Sequence, residues 1–85
     1  GRLGPDALLA TIDEWQTICH ATSRPIKVLL LDQKRIAGIG NLYASEILHR
    51  TRIHPETPSD NLTGNQITGL RANTITVLEE AIRYE

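Results

Sequence analysis

The sequence predicts an all-α domain of about four helices. Two capping boxes open apolar stripes of helical period, an Arg24-Pro25 pair stands where a helix can start, and no stretch of four or more residues alternates at period two. Thr11-Ile12-Asp13-Glu14 is the first capping box. Its threonine hydroxyl accepts from the third helical N–H while Glu14 reaches back to the cap. Ile12, Trp15 and Cys19 then share one face of a helix ending near His20. The preceding Leu3–Leu9 stretch reads as a turn or a short helical segment, with Pro5 suited to a first turn.

Pro25 suits the first position of the second helix, because its missing N–H has no partner there in any case. Ile26, Leu29 and Leu30 form its apolar face, and Lys27 and Lys34, seven residues apart, are expected to share another. Gly38-Ile39-Gly40-Asn41 interrupts the pattern. A third helix is expected from Asn41 to Thr51, with Leu42, Tyr43, Ile47 and Leu48 as its apolar side and Glu46–Arg50 as an i,i+4 pair. Ile53-His54-Pro55 ends it, and residues 58–61 read as loop. Thr63-Gly64-Asn65-Gln66 is the second capping box. Ile67, Leu70, Thr74, Val77, Leu78 and Ala81 follow as a long amphipathic stripe.

The composition sets bounds. At 85 residues and 40% hydrophobic content, residues 1–85 make one domain with a modest core. One cysteine, Cys19, forms no internal disulfide and no four-cysteine zinc site. His20, His49 and His54 lack zinc-ligand spacing, so no metal site is expected. No apolar run reaches the ~20 residues of a membrane span. The chain begins Gly1-Arg2 without Met and reads as an excised piece of a longer protein.

The net charge of −1 hides a polarised map. Residues 24–52 carry six basic and two acidic groups, hence +4; the other 56 residues carry three basic and eight acidic, hence −5. Such polarity is the footprint of a polyanion-binding face. The Gly38–Asn41 stretch adds phosphate chemistry. Glycines admit a ligand close to the backbone, and a helix N-terminus offers unpaired N–H groups and a positive dipole end. Asn41 can cap that helix or turn its amide to an anion, and Lys27 can aim a point charge at the same place. Taken singly, each feature has a plainer reading as turn, cap or surface lysine. Trp15 and Tyr43 read as core, and Glu46 as the Arg50 partner.

Taken together, these strings resemble the helix–two-turn–helix domain of the formamidopyrimidine-DNA glycosylase and endonuclease VIII family of base-excision repair enzymes. The resemblance is carried by Leu3-Gly4-Pro5-Asp6-Ala7-Leu8, Ile26-Lys27, Leu31-Asp32-Gln33, the unbroken run from Ala37 to Glu46, Ile53-His54-Pro55, and Val77 to Ile82. It covers nearly the whole chain and leans to the formamidopyrimidine branch.

The resemblance implies a domain that grips the backbone of double-stranded DNA around a damaged, flipped-out nucleotide. Lys27 and Asn41 match the family's phosphate contacts, with Gly40 supplying backbone; Lys34, Arg35 and Tyr43 complete the candidate set. It also implies a bacterial, cytoplasmic, nucleoid-associated parent that acts as a monomer, a glycosylase and abasic-site lyase. The parent's catalytic β domain begins Pro-Glu, and its C-terminal part carries zinc. This chain carries neither part, and its Pro5, followed by Asp6, is internal and has no free amine for a Schiff base. No catalytic residue is therefore assigned here. Two positions depart from the family pattern: Ala21-Thr22-Ser23 replaces lysine-rich sequence before Ile26-Lys27, and His49 stands where Phe is frequent. Two other classes are weighed. A ribosomal-type, non-enzymatic nucleic-acid module predicts a strongly basic chain, and a structural interaction domain leaves the order Lys27…Gly38…Gly40…Asn41 unexplained.

Overall fold

The computed structural model describes residues 2–84 and contains four α-helices joined by short irregular segments. They are α1 (Ile12–His20), α2 (Ile26–Leu30), α3 (Asn41–Thr51) and α4 (Gly64–Tyr84), with a single 3-10 turn at Ser59–Asn61. Among the described residues there are no strands, only two isolated bridges, Asp6 with Ala37 and Pro25 with Pro58.

Both capping boxes form. Thr11 Oγ1 accepts from the Glu14 N–H at 3.1 Å, and Glu14 Oε1 accepts from the Thr11 N–H at 2.9 Å. Thr63 and Gln66 repeat the exchange at 3.1 and 2.8 Å. α4 packs against both α1 and α3. It buries Ile67, Leu70, Thr74, Val77 and Leu78, whereas Ala81 at the end of its stripe is only half-buried. Trp15, Cys19, Leu29, Leu30, Ile36, Ile39 and Ile47 complete the centre of the core. Burial pushes the Cys19 thiol up to about 11, which keeps it neutral and inert. The hydroxyls of the buried Thr74 and Ser59 are satisfied: Thr74 Oγ1 donates to the Leu70 carbonyl at 2.7 Å and Ser59 Oγ to the Arg24 carbonyl at 2.8 Å.

Four expectations change. α2 is one turn long and ends at Leu30, and Pro25 caps it from outside rather than occupying its first turn. Asp32 is the cause of the early stop: its Oδ1 accepts the Lys34 N–H at 3.0 Å and its carbonyl the Arg35 N–H at 2.9 Å. That side chain offers the backbone a turn in place of a further helical bond. Lys34 therefore leaves the helix and shares no face with Lys27. Leu42 is 81% exposed, and Ala44 takes its expected place in the core beside Ile47 and Leu48. Asn41 does not cap α3, because Gly40 is the N-cap. The expected Glu46–Arg50 pair forms, at 3.8 Å, and Arg50 also meets Glu80 on α4 through two hydrogen bonds of 3.0 and 3.1 Å. Those bonds hold the Glu80 carboxyl below its ordinary value. The small stabilisation they add is present at neutral pH and fades as pH falls through the carboxylate range.

The end of α3 bears on the site. The Arg52 N–H donates to the His49 carbonyl at 3.2 Å and the Ile53 N–H to the Leu48 carbonyl at 3.1 Å, with Ile53 buried beside Leu48. This is the Schellman arrangement, which places one residue in the left-handed region. Here that residue is Arg52, at φ 59° and ψ 41°, rather than glycine. A non-glycine residue there carries strain of about 1–2 kcal/mol.

Candidate nucleic-acid interface

Lys27 is the second residue of α2, and the loop after α3 fixes its backbone. The Ile26 N–H donates to the Thr57 carbonyl at 2.8 Å, the Lys27 N–H to the Pro55 carbonyl at 3.2 Å, and the Ser59 N–H to the Arg24 carbonyl at 2.9 Å. These bonds hold the opening of a five-residue helix that is too short to be stable by itself. The half-buried Lys27 side chain lines an open cleft of about 610 Å³. Ser45, His49 and Arg52 from α3 and His54 from the loop line the same cleft, with Leu48, Ile53 and Pro55 as its apolar part. Among the described residues, no carboxylate lines it.

Asn41 occupies the first position of α3 and is exposed. The first intrahelical bond runs from the Ala44 N–H to the Gly40 carbonyl at 2.9 Å, so the N–H groups of Asn41 and Leu42 have no carbonyl partner within the helix. With Gly40 as cap, the Asn41 amide is left for solvent or an anion. Gly40 is extended, at φ −86°, and needs no glycine for its backbone. What its missing side chain provides is access: a Cβ there would meet only the Tyr43 ring, at 3.9 Å. The glycine required by conformation is Gly38, at φ 103°. Gln33 spans that turn, accepting the Gly38 N–H at 2.9 Å and donating to the Ile39 carbonyl at 3.3 Å.

The N-terminal segment is laid along the same turn. The Gly4 N–H donates to the Gln33 carbonyl at 2.8 Å, the Ala37 N–H to the Pro5 carbonyl at 2.9 Å and the Ala7 N–H to the Ala37 carbonyl at 2.8 Å. A Cβ on Gly4 would collide with the Arg35 backbone, so only glycine fits there.

The six candidate residues do not form one cluster. Lys27 lies in the cleft; Asn41 and Gly40 form the mouth of α3, one helical turn before Ser45 of the cleft wall. Lys34 and Arg35 are exposed on the turn after α2 and do not line the cleft. Tyr43 is half-buried against the core and lines a different groove, between α3 and α4, with Glu46, Arg50 and Glu80. His49, Arg52 and His54 were not among the candidates. For His49 and Arg52 the signal is helical spacing, since positions 41, 45, 49 and 52 fall on one stripe continuing α3; for His54, in the loop, the sequence carries none. Among the described residues, no group of three or more His, Cys, Asp or Glu could hold a metal ion, so the residues present do not fit zinc. Nor is any described helix long and apolar enough to cross a membrane.

Residues 3–85 match the family model described as the formamidopyrimidine-DNA glycosylase H2TH domain. A formamidopyrimidine-DNA glycosylase from Zymomonas mobilis is 44% identical over 82 residues, which are 94% of this chain and 30% of that relative. One from Bacillus cereus is 41% identical over 83 residues, 95% of this chain and again 30% of the relative. The chain thus spans less than a third of these curated relatives. The crystal structure of the MutM (Fpg) protein from Thermus thermophilus superposes with a TM-score of 0.91 and 38% identity, covering 96% of this chain and 32% of that one. Lactococcus lactis Fpg, in complex with DNA containing an abasic site, superposes with a TM-score of 0.89 and 30% identity, covering 95% and 31%.

Proposed function

Because the chain belongs to the formamidopyrimidine-DNA glycosylase H2TH domain family, we propose that it is the part of a base-excision-repair glycosylase and abasic-site lyase that grips the DNA backbone beside a damaged base. The observation that carries this reading is the opening of α3. Gly40 leaves the helix mouth uncovered, Asn41 presents an uncommitted amide, and first-turn N–H groups point out of the helix. A phosphate is the ligand such a terminus suits. Lys27, held by the loop after α3, adds a charge on the α2 side. Lys34 and Arg35, exposed on the connecting turn, are the further cations of the reading. Contacts of this kind position the duplex and carry little sequence information.

The parent enzyme acts on oxidised bases in this proposal, as a monomer in a bacterial cytoplasm, and its zinc lies outside the described residues. The acidic remainder of the chain opposes binding unless it faces away from the duplex. The isolated chain should therefore bind weakly, with Kd on the order of 10⁻⁴ M at physiological salt and a log–log salt slope of about −2 to −3. Lys27→Ala is expected to reduce that slope by about 1. The test is a chemical-shift titration with a short duplex at several salt concentrations. Shifts confined to α4, or an unchanged slope for Lys27→Ala, would reject the phosphate assignment.

The isolated chain is also expected to be catalytically silent. Pro5 is an internal residue whose nitrogen is an amide, and its carbonyl accepts from Ala37 within the fold. It cannot form the Schiff base that lyase chemistry needs. Borohydride treatment in the presence of an abasic-site duplex should trap no adduct. A stoichiometric adduct would overturn this expectation.

A further inference from the structure

We propose that the cleft between the start of α2 and the end of α3 is a second backbone-phosphate site. In it Arg52, with His49 and His54, takes a phosphodiester next to the one assigned to Lys27 and Asn41. The inference rests on the phosphate reading of α3 and extends it along the helix.

Charge is the first support. The cleft carries Lys27, Arg52 and two imidazoles, and no carboxylate among the described residues lines it. Three of the other arginines are engaged: Arg24 pairs with Asp32, Arg50 with Glu80, and Arg71 Nε donates to the Ala10 carbonyl. Arg52 and Lys27 make no side-chain hydrogen bond or ion pair with any described residue. Two uncompensated cations sharing one concavity create a local positive potential in a chain of net charge −1.

Backbone conformation is the second. Arg52 is the one described non-glycine residue at positive φ. The position needs no side chain for the fold, since glycine satisfies the Schellman geometry without strain. A long cation held there against its backbone preference, pointing into a cleft, is the pattern of strain kept for binding.

Donor geometry is the third. His54 Nδ1 accepts the Glu56 N–H at 3.0 Å, so in this arrangement the ring proton sits on Nε2, which is then a donor. The Ser45 hydroxyl lies on the stripe between Asn41 and His49. From Asn41 to Arg52 the stripe rises about 16 Å along α3, at ~1.5 Å per residue. That length admits more than one phosphate of a strand, and the cleft volume of about 610 Å³ easily admits a phosphodiester.

The test compares the chain with Arg52→Gly, Arg52→Lys and Lys27→Ala in duplex titrations across salt. Arg52→Gly is expected to melt at a higher temperature, because the left-handed strain is relieved, yet to bind several-fold more weakly. Its salt slope should be smaller by about 1. Arg52→Lys should retain the slope. If Arg52→Gly keeps the full slope while Lys27→Ala loses a unit, the cleft assignment is wrong and the α3 clamp stands. If neither variant changes the slope, both fall.

Discussion

Replacing Trp15 with alanine is expected to remove about 3–5 kcal/mol of stability. Trp15 is fully buried on α1, in the core that α4 closes. A domain of 85 residues holds only about 4–13 kcal/mol in total, so this one change brings the chain to the edge of unfolding. The indole adds a second, less obvious expectation. Its Nε1–H is buried without a protein partner among the described residues. A buried donor left unpaired is worth a penalty of about 1–3 kcal/mol. Trp15→Phe removes that donor while opening only part of the cavity, so its net cost should stay below ~1.5 kcal/mol. Thermal melts of the two variants separate the cases. A phenylalanine variant as damaged as the alanine one would mean that the N–H is satisfied in solution.

The elements most legible in the sequence were those fixed by local chemistry. The capping boxes at Thr11 and Thr63 use hydrogen bonds that span three residues, so their letters suffice, and both form. The bounds of α1 and α3 were legible for the same reason. The fold class followed, and so did the long α4 stripe, whose first five members are all buried. The misread features depend on neighbours the sequence does not name. Apolar spacing places Leu42 beside Ile47, but Leu42 stands at the rim of the open groove between α3 and α4 and is left in solvent. The spacing of Lys27 and Lys34 assumed a helix that Asp32 ends. Arg50 does pair with Glu46, four residues before it, as the spacing predicts. Its closer partner, Glu80, lies thirty residues on, where no local pattern reaches.

The candidate site divides along the same line. The glycine-bearing opening of α3 was legible because its letters are contiguous, and the family resemblance added roles to them. The cleft was not. It joins α2, α3 and the loop after α3 through the hydrogen bonds of Lys27 to Pro55 and Ile26 to Thr57, and these span about 30 residues. In the sequence His49 and His54 read as lacking metal-ligand spacing, His49 also as a departure from the family's Phe and His54 as part of the Ile53-His54-Pro55 string, and Arg52 as part of a charge total; none of these readings joins them. Their common ground is a concavity that exists once the chain closes.

Asn41→Asp is expected to stabilise the fold and abolish duplex binding at once. Asn41 is the first residue of α3, just inside the Gly40 cap, and its amide serves no described hydrogen bond that the change would break. A carboxylate in the first turn gains about 0.3–1 kcal/mol from the positive end of the helix dipole. The same carboxylate meets an incoming phosphate with like charge. At about 4 Å, with the effective dielectric of a protein surface, that repulsion reaches about 4 kcal/mol before salt screening. Binding should therefore weaken well beyond tenfold, and more at low salt than at high. Asn41→Ala separates the two effects. With Gly40 carrying the cap it should melt like the parent chain, and it should weaken binding by less than the aspartate does. Melting curves and duplex titrations of both variants decide the matter. A stabilised aspartate variant that still binds like the parent would place the phosphate away from the mouth of α3. A destabilised alanine variant would show that Asn41 serves the helix rather than the ligand.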